Sequence, residues 1–185
     1  MKSFYFIILI LILLVLYHFW HHDYVFYLPQ FLPQKKHEQL KSILAKQRDY
    51  KLNWNNLYMK EIYDKEVLDL FYGSDSLFYL SKTIGKDVDP LWKVPIEHRY
   101  YTKSKGMKWH KDTLLSNPPQ YELVYTVTNT SDSHTEYIDH WGLKHRIWTE
   151  PNSIMIVRAH GYIHHVTPVN KGNRSILKIA YIPKK

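Results

Sequence analysis

Apolar and polar positions change their period twice along the chain. From Phe4 to Trp20 the sequence is an almost unbroken run of Ile, Leu, Val, Phe and Tyr, preceded by Lys2. Such a run leaves no polar face for an amphipathic core helix, and it lies at the lower edge of the ~17–25 residues that cross a bilayer as a helix. It reads as a membrane span or as a signal peptide. The following Tyr17-His18-Phe19-Trp20-His21-His22-Asp23 lacks the small residues of a signal-peptidase site and puts aromatics where a membrane interface holds them. An uncleaved transmembrane anchor over residues 1–20 is therefore expected, then a linker over 21–36 marked by Pro29 and Pro33, and one domain over 37–185.

Within that domain the period is first helical. In His37–Gln47 the residues Leu40, Ile43 and Leu44 share one face. A second helical run covers about Asp64 to Phe71. A third follows a cap at Ser74 or Asp75 and stops before Gly85. These stripes predict packing against one side of a sheet, with no chemistry of their own. Asp89-Pro90 reads as the turn into the strands. From Ile96 the period becomes two, with candidate strands at Ile96–Thr102, Lys108–His110, Glu122–Asn129, Arg146–Trp148, Ser153–Arg158, His164–Thr167 and Arg174–Ile182. Helices followed by strands predict an α+β fold, the helices on one face of a β-sandwich.

Charge alters this picture little. A formal net charge of +8 attracts phosphates or acidic lipid headgroups, but the lysines are dispersed and no nucleic-acid-binding motif is visible, so nucleic acid ranks low as a partner. Cysteine is absent, which excludes disulfides without selecting a compartment. Lys2 favours a cytosolic N-terminus while Lys35 and Lys36 pull the other way, and a lumenal catalytic domain is the preferred orientation. A lumenal domain would carry sugar at Asn129-Thr130-Ser131, whereas Asn173-Arg174-Ser175 would be inaccessible.

The candidate chemistry lies between Trp109 and Arg174. His110 and Asp112 stand two residues apart, on one face of an extended strand. Far along the chain come His164-His165-Val166-Thr167-Pro168-Val169 and then Gly172-Asn173-Arg174. Two histidines and one carboxylate from separate strands can hold non-heme iron(II) on one face and leave its other positions open. An arginine nearby can grip a carboxylate through two parallel hydrogen bonds. His21-x-Asp23 and His134-x-Glu136 repeat the first element without a partner, so the weight rests on the conjunction.

His-x-Asp, some fifty strand-like residues, His-x-Val-x-Pro-Val and Gly-x-Arg, in that order, resemble the iron(II)/2-oxoglutarate-dependent dioxygenases of the prolyl 4-hydroxylase type, over about Glu97 to Tyr181. The resemblance implies a double-stranded β-helix, or jelly roll, with the N-terminal helices packed on one sheet. It implies Fe(II) on His110, Asp112 and His164, the far carboxylate of 2-oxoglutarate on Arg174, O2 as co-substrate, and ascorbate as a further cofactor. Only His164, not His165, keeps the family spacing to the arginine. Tyr101, nine residues before His110, matches a family tyrosine that hydrogen-bonds 2-oxoglutarate, and equally suits an ordinary strand aromatic. The implied reaction is hydroxylation of a peptide side chain, prolyl first and lysyl next.

Departures are visible. Ser104 stands where the family commonly has glycine, and Ser131–Glu136 replaces its Gly-Gly-x-Thr turn. The Lys- and Tyr-rich composition and the Asp132–Trp148 insert resemble members encoded by large DNA viruses. His160, next to Gly161, is a candidate support for the metal site. Competing readings are a membrane-anchored binding or structural protein with an inactive jelly roll, an oxygenase acting on nucleic acid, and a zinc hydrolase, for which no general base is suitably spaced.

Overall fold

Two β-sheets face each other across a cavity in the computed structural model of the chain, which describes residues 2–21, 25–53 and 57–184, the side chains of 2, 3 and 16–21 excepted. In chain order the elements are α1 (Lys2–His21), β1 (Phe26–Leu28), α2 (Gln34–Ala45), β2 (Lys51–Leu52), β3 (Tyr58–Ile62), α3 (Lys65–Tyr72), α4 (Ser74–Ile84), β4 (Val88–Pro90) and β5 (Ile96–Tyr101). There follow β6 (Met107–His110), β7 (Tyr121–Asn129), β8 (Thr135–Ile138), β9 (Lys144–Ile147), β10 (Ser153–Arg158), β11 (His164–Val166) and β12 (Arg174–Pro183). The large sheet has the order β1-β10-β7-β12-β5-β3-β2, with β4 also on β12, and the small sheet the order β6-β11-β8-β9.

Period-two alternation gives the large sheet two different faces. Leu123, Tyr125 and Val127 of β7 and Leu177, Ile179 and Tyr181 of β12 join Leu40, Leu44, Val67, Phe71 and Leu80 from α2, α3 and α4 in one buried core. The intervening Glu122, Val124, Arg174, Ile176 and Lys178 line the cavity on the other side. The helices thus cover one face as expected and leave the opposite face free for chemistry. Tyr181 reinforces the attachment by donating its hydroxyl hydrogen to the carbonyl of Phe71 (2.9 Å).

The helices start as their sequences allow. Asp64 caps α3, its carboxylate accepting from the N–H groups of Glu66 and Val67. The expected Ser74 or Asp75 cap of α4 is not formed: Gly73, in extended conformation, is the N-cap and provides no side chain. Only Gly73 separates α3 from α4, so no residue is left between them to act as a polar cap. Gly85 closes α4 at φ 75°, as expected of a glycine C-cap.

Three expectations along the chain are corrected. The segment read as the linker 21–36 is largely part of the domain: β1 pairs with β10 (Phe26 with Ile156), and the Leu32 backbone bonds to Asn152 through both N–H and C=O. Asp89-Pro90 does not turn but lies in β4, where Pro90 pairs with Tyr181. Proline is tolerated there because β4 sits off the main strand path. The two sequons exchange roles. Asn129 is buried, its amide donating to Thr149 O (2.8 Å) and accepting from Ser131, whereas Asn173 is exposed.

The expected transmembrane span over 1–20 coincides with helix α1, whose described side chains, Phe4 to Val15, are all exposed. Among the described residues no helix is long and apolar enough to cross a membrane. The part of 21–36 that covers residues 22–24 lies outside the described residues.

Candidate active site

Strand register builds the site. In the small sheet His164 of β11 lies between His110 of β6 and Tyr137 of β8 as their cross-strand partner. Directly opposed residues share a face, so both imidazoles point into the space between the sheets, and Asp112, just past β6, joins them. His164 Nε2 is 3.5 Å from Asp112 Oδ2, and His110 Nε2 is 4.0 Å from Asp112 Oδ1. One donor atom from each of the three residues lies within 4.8 Å of the other two.

Both imidazoles are set as lone-pair donors. His110 Nδ1 lies 2.7 Å from the carbonyl of Lys108, and His164 Nδ1 lies 3.0 Å from that of Tyr162. A carbonyl can only accept, so each Nδ1 carries a proton, and in the neutral ring each Nε2 keeps its lone pair for a metal beside Asp112. Burial lowers the pKa of His164, opposed by the Asp112 carboxylate, and so favours the neutral ring a metal requires. Two imidazoles and one carboxylate on one side of an open cavity fit iron(II).

His165 faces the other way, as neighbouring strand residues must. Its Nε2 lies 2.7 Å from Glu136 Oε2, and its ring stacks on Trp109 at 4.0 Å between centroids. His160 approaches the site only through its backbone: its N–H donates to Asp112 O (3.3 Å) while its side chain is exposed.

The expected arginine is in the same cavity. Arg174 begins β12, is 1% exposed, and donates through one terminal nitrogen to Thr135 Oγ1 (3.2 Å). Its Nε has no hydrogen-bond partner, and among the described residues it has no carboxylate partner. Burial lowers its pKa, opposed by Tyr101 and Tyr27. Gly172 makes this placement feasible: at φ 70° a Cβ there would meet Thr130 O at 2.1 Å. Tyr101 is the cross-strand partner of Arg174, its ring 5.7 Å from the guanidinium carbon and its hydroxyl directed to Met107 Sδ (3.1 Å). The structure therefore brings His110, Asp112, His164, Arg174 and Tyr101 around one cavity.

Three further charges line it that sequence reading missed: Arg99, Glu122 and Lys178. Arg99 is held by Glu97 of its own strand. Lys178 Nζ lies 3.4 Å from Glu122 Oε2 and 3.4 Å from Asp112 Oδ1. Burial works against the ammonium, yet Glu122 and Asp112 carry its pKa above the ordinary lysine value. Burial raises that of Glu122, opposed by Lys178. The available signal was alternation: Lys178 is the only charged residue between Arg174 and Pro183, two side chains along the same face from Arg174.

Fold and site together describe a jelly roll with a His/Asp/His donor set and a buried arginine between its sheets. No family model matches the chain, and no curated protein matches it. Solved structures do. A prolyl-4-hydroxylase from Pseudomonas putida superposes with a TM-score of 0.69 at 11% identity, over 87% of this chain and 93% of that one. HygX from Streptomyces hygroscopicus, with nickel and 2-oxoglutarate bound, gives 0.71 at 10% identity over 90% and 85%. The viral collagen prolyl hydroxylase vCPH from Paramecium Bursaria Chlorella virus-1, as a 2-oxoglutarate complex, gives 0.63 at 13% identity over 88% and 97%. At such identities the likeness establishes the fold, the jelly roll that these 2-oxoglutarate/Fe(II) oxygenases share.

Proposed function

We propose that the chain is an Fe(II)- and 2-oxoglutarate-dependent dioxygenase that hydroxylates a peptide side chain, prolyl before lysyl. One observation carries the reading: Arg99 is held by Glu97 and Lys178 lies between Glu122 and Asp112, which leaves Arg174, among the described charges of the cavity, with no carboxylate beside it. Asp112 with two lone-pair imidazoles suits a divalent cation. Arg174, buried with an unpartnered Nε, suits a carboxylate. A cation and an anion site in one cavity are what a metal-chelated dicarboxylate needs. Iron(II) held there would supply the oxidising chemistry once oxygen is present. His110, Asp112 and His164 would hold it, Arg174 and Thr135 would orient the co-substrate, and Val124, Met155, Val157 and Ile176 would keep water out.

The peptide substrate is read from the resemblance and from neighbours such as the Trichoplax adhaerens prolyl hydroxylase, which is in complex with a hypoxia inducible factor peptide fragment. Membrane anchorage through residues 1–20, with the domain on the lumenal side, is proposed from the apolar run alone, and retention in the pellet after alkaline carbonate extraction is its test.

The catalytic reading is tested by iron-dependent release of carbon dioxide from 2-oxoglutarate. Wild type should turn over, His164→Ala should lose both metal and turnover, and His165→Ala should stay within ~10–100-fold of wild type because it touches no metal. A dead, metal-free His165→Ala beside a working His164→Ala would overturn the assignment.

A further inference from the structure

The buried pair Lys178–Glu122 has no packing rationale beside the apolar walls that Val124, Met155, Val157 and Ile176 give the cavity. Glu122 is 2% exposed, and its Oε2 makes no hydrogen bond, while Oε1 accepts from Gln120 Nε2 (3.0 Å). Lys178 reaches past it to Asp112, whose Oδ1 is equally close to the ammonium (3.4 Å). An unopposed ammonium there would cancel the single carboxylate charge of the donor set and repel a divalent cation. Inside a protein, charges a few ångströms apart interact strongly. A second carboxylate on the far side of the ammonium restores the balance: Asp112, Lys178 and Glu122 together carry the charge of one carboxylate, as a bare His/Asp/His set would.

We infer that Glu122 is a positioning residue for the metal site, neutralising Lys178 so that His110, Asp112 and His164 can take a divalent cation; this rests on the metal reading above. Lys178 fixes Asp112 Oδ1 and leaves Oδ2 toward His164, and Glu122 makes that arrangement compatible with a cation.

Titration calorimetry of the full chain with Co(II), without 2-oxoglutarate, tests this. Glu122→Gln keeps the shape and the Gln120 contact but leaves Asp112 to offset Lys178 without Glu122. Its Co(II) affinity should fall by ~10–100-fold, the range seen for groups that support metal ligands. The double variant Glu122→Gln/Lys178→Met removes both charges and should recover to within about threefold of wild type, an allowance for lost support of Asp112. A merely structural pair would move the denaturation midpoint in this pattern but not the Co(II) affinity of the folded protein. Should Glu122→Gln fail to fold, Lys178→Met alone decides, because it removes the repelling charge at the cost of some support for Asp112, and it should bind Co(II) within about threefold of wild type or more tightly. Unchanged affinity in Glu122→Gln, a double variant as weak as the single, or a tenfold loss in Lys178→Met would each overturn the inference and leave the metal site standing. Wild type that binds no Co(II), or binds it unchanged after His164→Ala, would instead remove the metal reading itself.

Discussion

Ser104 shows how one residue can depart from a family pattern and keep its geometry. It holds φ 66°, the left-handed region where the resembled family places glycine, and its N–H donates to Val169 O (2.8 Å). A side chain pays roughly 1–2 kcal/mol for that backbone, and glycine returns part of this as unfolded-state entropy. Ser104→Gly should therefore stabilise the domain by about 0.5–1 kcal/mol, read as a higher denaturation midpoint, and a lower midpoint would refute it. His98 offers a second residue-level test. It is fully buried between Tyr50 OH (2.7 Å) and Ser175 Oγ (2.6 Å), and burial pushes its pKa down to about 4 from 6.5. The unfolded chain binds that proton first as pH falls, so the contribution of neutral His98 is whole above pH 6.5 and is lost progressively toward pH 4. The loss amounts to about 3 kcal/mol. Urea denaturation at both pH values should show a steeper decline in wild type than in His98→Gln, and equal declines would sink the idea.

At the scale of elements, sequence reading missed β1, β2, β3, β4 and β8. β7, β10 and β12 were legible because each is rich in β-branched, aromatic and other apolar residues, most of them buried on both faces, and β5 because Ile96, Tyr100 and Tyr101 frame it. Three-residue β1 and β4 carry no period that a reader could count, and each contains or abuts a proline. β8 follows a Ser/Asp-rich turn that masked the alternation of Thr135 and Tyr137 with Glu136 and Ile138. The omission of β1 has a measurable consequence. Removing residues 1–20 should leave a folded domain, because β1 and Leu32 remain. Removing residues 1–33 takes away β1 and the Leu32 contact, leaves the Asn152 amide nitrogen unpaired while Oδ1 keeps the Tyr125 hydroxyl, and bares the β10 edge with Ile154 and Ile156. Lost burial and the unpaired amide together should cost about 3 kcal/mol or more. A thermal melt of the shorter chain matching that of the 1–20 deletion would show β1 to be dispensable.

In the whole molecule the large sheet is a partition, with apolar contacts and helices on one side and paired and unpaired charges on the other. Asp112 and Arg174 were legible because motif spacing marks them. Glu122, Lys178 and Arg99 were not, because they meet only through the register of β5, β7 and β12, which one-dimensional pattern cannot supply. That arrangement of register also sets the order of events during synthesis. His110 leaves the ribosome more than fifty residues before His164 and Arg174, a delay of several seconds at ~5–20 residues per second. Throughout it β6 has no β11 and β7 has no β12 to pair with. The nascent chain thus holds an incomplete chelate and open strand edges together, so metal loading belongs to the finished chain, and a ribosome-stalled chain ending before His164 should retain no cobalt on a desalting column.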